Sequence, residues 1–78
     1  MRVFKAILSN VTVSENWILI IRKTYKKSSW KIKGIRISDG FETESQEIYG
    51  TNPFSAVMSW IQTRPGNLSL LTCGEIKL

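Results

Sequence analysis

Histidine is absent from this sequence, and cysteine occurs once. Without an imidazole, Ser–His and Cys–His nucleophile systems and histidine metal sites are excluded. Cys73 alone forms no internal disulfide, so the fold is expected not to rely on an oxidising compartment. It stands in an apolar stretch with no evident activating base and is read as a small packed hydrophobe. Glycine is scattered over Gly34, Gly40, Gly50, Gly66 and Gly74, which leaves no glycine-rich phosphate loop. Long apolar runs are missing too: the longest, Trp17–Ile21, is far short of a membrane span. The opening "MRVFKAILSNVTV" does not read as a signal peptide. Lys5 and then Ser9-Asn10 break its apolar run, and no small-residue cleavage site follows. The expectation is a cytoplasmic protein with no membrane association, no cofactor, no metal and no catalytic centre.

What is present fits one small domain. A chain of 78 residues, taken as a single unit over 1–78, has no room for a second core. At this size only roughly 60% of the unfolded surface is buried, so self-association is a natural route to further burial. Hydrophobic residues make up 42% and charged residues 22%, which excludes a disordered segment. The net charge of +5 favours anionic partners and says nothing about fold.

Most of the chain alternates in twos, as strands do, and one later segment repeats with the helical period. "RVFKAIL" reads as a strand with Phe4, Ala6 and Leu8 on one face and Val3, Lys5 and Ile7 on the other. "WILIIRKTY" follows, apolar on both faces in its first half, with Trp17, Leu19 and Ile21 opposed to Ile18 and Ile20. "KKSS" is a four-residue hairpin loop that sets Tyr25 opposite Trp30. In "WKIKGIRIS" the alternation slips, and Gly34 at the slip suggests a β-bulge. The bulge would return Trp30, Ile32, Ile35 and Ile37 to one inward face, with Lys31, Lys33 and Arg36 outward. "SDG" closes the next hairpin with Gly40 in the left-handed position. That register pairs Ile37 with Phe41, Arg36 with Glu42, Lys33 with Glu44 and Lys31 with Gln46 along a fourth strand, "FETESQEIY". Thr51 or Asn52 then caps a helix over 53–63 with Pro53 at its first position. Phe54, Val57, Met58 and Ile61 form its apolar stripe, and Arg64-Pro65-Gly66 stops it. A last strand, "LSLLTCGEIKL", buries Leu68, Leu70 and Leu71. The fold class is α+β in the order ββββαβ: a mainly antiparallel sheet of four to five strands with one helix on one face.

Seven of the eleven basic residues fall in "RKTYKKSSWKIKGIR". Nucleic-acid binding there would use Arg22, Lys26, Lys27, Lys31 and Lys33 on phosphates, with an aromatic stacking on bases. The expected register argues against it, because Trp30 shares the face of Ile32 and the lysines lie opposite. Glu42 and Glu44 would also partly neutralise the neighbouring cations, and those lysines account for the carboxylates without an acid–base or metal role. A positive tip at Lys26-Lys27 is left over, and it also guards the sheet against edge-to-edge pairing. Ile18 and Ile20 join Ile7 or Val3 in a patch on the bare face unless the arm "SNVTV" or the last strand covers them. Trp60 lies roughly 100° from the centre of the helix stripe, where it either folds over the sheet edge or stands at a binding surface.

At "YGTNPFSAVMSWIQ" the chain resembles a class of small, uncharacterised bacterial domains. In these a strand meander leads into a helix entered through a glycine, an Asn or Asp, and an alanine-bearing apolar stripe. Gly50, Asn52, Phe54, Ala56 and Val57 carry the likeness, and the hairpins before them match in outline. The resemblance implies the meander-plus-helix plan and no particular activity. In scale the chain is similar to bacterial or phage accessory, immunity and host-defence inhibitor proteins. The function expected is protein–protein recognition by a non-catalytic module, with Ile18, Ile20, Lys26, Lys27 and Trp60 as contacts and homodimerisation through the bare face as a corollary. The alternative is a nucleic-acid binder using the basic hairpin 22–36.

Overall fold

A computed structural model describes residues 2–10, 12–64 and 67–76. The elements are β1 (Val3–Asn10), β2 (Glu15–Lys23), β3 (Ser29–Arg36), β4 (Gln46–Tyr49), α1 (Pro53–Gln62) and β5 (Leu68–Glu75). The five strands form one sheet in the order β4-β3-β2-β1-β5, and all neighbours are antiparallel. The α+β reading and the element order ββββαβ therefore hold.

The alternation of β1 and β2 builds the core as read. Phe4 faces Ile21, Ala6 faces Leu19 and Leu8 faces Trp17. Together with Trp30 and Ile32 these residues, apart from the half-buried Trp17, are buried under the helix. Each fully buried Leu or Ile contributes on the order of 1.5–3 kcal/mol relative to an exposed one. The helix begins where its cap dictates. Asn52 Oδ1 accepts the Ser55 amide at 2.8 Å and Ser55 Oγ accepts the Asn52 amide at 3.2 Å, with Pro53 next in line. The expected stop at Pro65-Gly66 lies outside the described residues.

Three expectations are corrected by the way the helix meets the sheet. First, β2 and β3 pair in unbroken register from Trp17–Arg36 to Lys23–Trp30, so there is no bulge at Gly34. Gly34 faces the core in phase with Trp30 and Ile32, and the indole of Trp60 occupies the space its missing side chain leaves. A Cβ there would lie 3.1 Å from Trp60 Cζ2 and 3.3 Å from Leu19 Cδ2 and Trp17 Cε3. Without the bulge, Ile35 points outward with Lys31 and Lys33, and Ile37 is exposed beyond the strand end. Second, the buried face of α1 is Ala56, Val57 and Trp60, whereas Phe54 is 56% and Met58 37% exposed. Two glycines turn the helix this way. Gly34 admits the indole, and Gly50 lets the first turn approach so closely that a Cβ would meet the Ala56 nitrogen at 2.9 Å. Third, Trp60 is neither at the sheet edge nor at a binding surface: it is 1% exposed, edge-to-face with Trp17 at 6.3 Å, and lies under the Arg64 guanidinium at 4.5 Å.

Smaller shifts follow in the turns. Lys23, not Tyr25, pairs with Trp30, because the Thr24 amide donates to the Ser29 carbonyl at 3.1 Å and closes the hairpin around Tyr25–Ser28, with Ser28 at positive φ. Gly40 does take the left-handed conformation, at φ 74°. Its turn, however, is held by Arg36 and Asp39, and Ile35 bridges to Glu42. From there to the Ile32–Gln46 pair there are three steps along β3 and four along the facing chain. The extra residue thus sits within 43–45 and not at Gly34. It sets Lys31 opposite Glu47 and shortens β4 to four residues. In β5 a register shift between Ile7 and Leu8 makes Leu71 the unpaired residue, and it is 59% exposed where burial was expected.

Candidate functional site

The helix covers one face of the sheet, and the other face carries the candidate site. Cross-strand partners share a face, so the register places three rows there. Ile7, Ile18 and Ile35 lie side by side across β1, β2 and β3. The next row is Lys5, Ile20 and Lys33, and the third is Val3, Arg22 and Lys31. All four isoleucines are half-buried, whereas Lys5, Arg22 and Lys31 are exposed. A shallow cavity of about 330 Å³ opens among Ile20, Arg22, Lys31, Lys33, Ile35 and Ser45. The surface has an aliphatic centre in a cationic frame.

Carboxylates neutralise little of this frame. Lys33 pairs with Glu42. Among the described residues Lys5, Arg22 and Lys31 have no ion-pair partner. Glu47 faces Lys31 in the register but is otherwise engaged: it accepts the Ser29 hydroxyl at 2.9 Å and the Tyr49 hydroxyl at 3.2 Å, and lies 3.5 Å from Lys26. The Ser29 hydrogen bond is the main cause that holds its carboxyl below the usual range. The expected Arg36–Glu42 and Lys33–Glu44 pairs do not form. Arg36 instead makes a two-pronged contact with Asp39, at 2.9 and 2.6 Å.

The sequence-derived contacts fall into three places. Ile18 and Ile20 stand on the open face, together with Arg22, Lys31 and Lys33 from the alternative set, so two separately read groups form one surface. Lys26 and Lys27 sit at the exposed loop tip beside Tyr25, which is 95% exposed. Trp60 is in the core and out of reach of any partner. Two members of the face were not read as contacts. Lys5 was legible, since it shares a phase with Ile7. Ile35 was hidden by the bulge placed at Gly34.

A larger cavity lies elsewhere, about 640 Å³ between the hairpin tip and the helix entry, lined by Arg2, Lys23, Tyr25, Trp30 and Asn52 among others. Its cations are already engaged. Arg2 grips Glu75 at 3.0 Å, and the Lys23 ammonium donates to the carbonyls of Thr24 and Lys26 while lying 5.6 Å from the Trp30 ring. The Trp30 Nε1–H is likewise used, donating to the Gly50 carbonyl at 2.9 Å. Cys73 is partly buried, and burial pushes its thiol pKa up, away from the reactive thiolate. Among the described residues no three metal-ligating side chains cluster, and no helix is long and apolar enough to cross a membrane.

No family model matches the chain, and no curated protein or solved structure is significantly similar to it. The open face itself carries the functional reading.

Proposed function

We propose that this domain is a non-catalytic binding module that recognises an acidic protein surface with the uncovered face of its sheet. The observation that carries the reading is the Ile7–Ile18–Ile35 row lying beside Lys5, Arg22, Lys31 and Lys33. An aliphatic centre desolvates well against another protein, and a cationic surround steers and orients an acidic one. The Lys26-Lys27 tip extends the positive field beyond the sheet. The likeness of the helix entry to small bacterial domains is in keeping with a cytoplasmic accessory, immunity or inhibitor protein.

The rival reading is nucleic-acid capture by the same cations. Base stacking needs aromatics among them; Trp30 lies on the opposite face, 6% exposed, and Tyr25 is exposed at the loop tip beside Lys26 and Lys27, away from Arg22, Lys31 and Lys33 on the sheet. The isoleucines occupy the positions where stacking rings would be required.

The test is capture from a nuclease-treated bacterial extract by the wild-type chain, an Ile18→Glu variant and a Lys31→Glu/Lys33→Glu variant. Acidic proteins retained by the wild type and lost from both variants are expected. Retention that is indifferent to both changes contradicts the proposal. So does tight binding of mixed DNA or RNA at about 50 mM salt that weakens steeply as salt rises.

A further inference from the structure

The two edges of the sheet are unlike. The edge at β4 is four residues long, follows the irregular stretch 43–45, and carries Glu47 paired with Lys26. Short length, irregularity and charge are how sheets protect their edges. The edge at β5 has none of this protection along most of its length. "LSLLTCGE" runs for eight residues without lysine, arginine or proline, and its only charge is Glu75 at the end. Among the described residues it pairs with β1 alone, so its outward amides and carbonyls form a ladder open to another strand. The bulge adds twist, but the side chain it presents is Leu71, an exposed apolar group.

The helix flank above this edge is apolar as well. Phe54 lines a small cavity with Phe4, Cys73 and Gly74, which places it on the β5 side of the helix. Met58 stands one turn further along the same flank. Phe54 and Met58 are both exposed on this flank, so a sixth strand beside β5 would complete the hydrogen-bond ladder and lie next to them. This accounts for the two stripe residues that the core leaves exposed.

We infer that β5 is a self-association edge, at which a second copy of this chain adds its own β5 in antiparallel pairing. An eight-residue edge that pairs antiparallel with its own copy is self-complementary about a two-fold axis, and the charge distribution favours this edge over the open face. Pairing two open faces would press Lys5, Arg22, Lys31 and Lys33 of one copy against the same residues of the other. Edge pairing instead sets the β2 strands of the two copies five strand spacings apart, roughly 24 Å. That exceeds the Debye length of about 8 Å at physiological salt. Antiparallel pairing about a two-fold axis normal to the sheet makes one ten-stranded sheet, with both helices on one side and both cationic faces on the other.

Light scattering on the wild-type chain at millimolar concentration is expected to give twice the 8.9 kDa chain mass. A Leu71→Lys variant with an unchanged circular dichroism spectrum is expected to return to the single-chain mass, while Ile18→Glu remains a dimer. Amide exchange gives a second readout that needs no variant: the β5 amides not bonded to β1 should gain protection as wild-type concentration rises. A wild-type chain that stays at the single mass, with β5 exchange independent of concentration, overturns the inference. So does a dimer broken by Ile18→Glu and indifferent to Leu71→Lys.

Discussion

An alanine at position 34 would place its Cβ 3.1 Å from Trp60 Cζ2, tighter than ordinary contact, with Leu19 and Trp17 close behind. Alanine stabilises through the unfolded chain by about 0.4–1 kcal/mol. Overpacking a core costs about 1–3 kcal/mol, and the indole is held between Trp17 and Arg64 with little room to yield. Overpacking should win. Gly34→Ala is expected to lower the unfolding free energy by about 1 kcal/mol or more in urea titration; an unchanged or raised midpoint would mean that the indole is not seated there. Trp60→Ala should cost about 3–5 kcal/mol. At this scale the sequence was legible where alternation was clean: Phe4, Ala6, Leu8, Leu19 and Ile21 all lie inside as the two-residue period requires. It misled at Gly34, because a glycine that breaks a phase and a glycine that receives a ring from a distant helix look the same in one strand. The second case depends on Trp60, twenty-six positions away.

Among the elements, the turn between β3 and the Glu42 bridge makes the most distinctive electrostatic statement. The Arg36 guanidinium, and after it the Phe41 amide, holds the Asp39 carboxyl at about 2, down from an ordinary 3.8. A folded-state value below the unfolded one means that ionised Asp39 adds stability fully above pH 3.8. That contribution is lost as pH falls through about 2. Glu47 and Glu75 are shifted the same way, by Ser29 and Arg2 respectively, and add to the acid sensitivity. A carboxyl NMR titration should place Asp39 near 2, and Arg36→Gln should move it toward 3.8; a wild-type midpoint already near 3.8 would show that the two-pronged contact is not held in solution. The helix start, by contrast, rests on its cap. Asn52→Ala is expected to cost about 1 kcal/mol in thermal unfolding, and no loss would mean that the capping box contributes nothing. The Asn52-Pro53 entry was readable because capping chemistry is local. The helix's inward face was not, since Phe54, Val57, Met58 and Ile61 form as good a stripe as Ala56, Val57 and Trp60 until the two glycines choose between them. The irregularity within 43–45 was not foreseen: the bulge expected at Gly34 puts the extra residue on β3, which shifts the β3–β4 register in the opposite sense to the one observed.

At the scale of the whole molecule, charge and apolar surface are sorted in space. Cations gather on the open face and the loop tip, while Leu71, Phe54 and Met58 bring exposed apolar side chains to the β5 edge and the helix flank beside it; Val13, Tyr25, Ile37, Phe41 and Tyr49 are exposed in turns and on β4. The one-sided cover of the sheet was legible, because a single helix can cover only one face. The identity of the open face was partly legible: Ile18, Ile20, Arg22, Lys31 and Lys33 were singled out, but as members of competing readings. Only the unbroken β2–β3 register merges them and adds Ile35.

Isoleucine methyl groups report on that merged face most directly. Ile7, Ile18, Ile20 and Ile35 lie on it, and Ile21 and Ile32 in the core serve as internal controls. In a methyl-labelled sample titrated with an acidic protein recovered by capture, shifts confined to those four methyls are expected, diminished by Lys31→Glu/Lys33→Glu. Shifts centred on Ile48 and Ile61, or none at saturating partner, would contradict recognition by the open face.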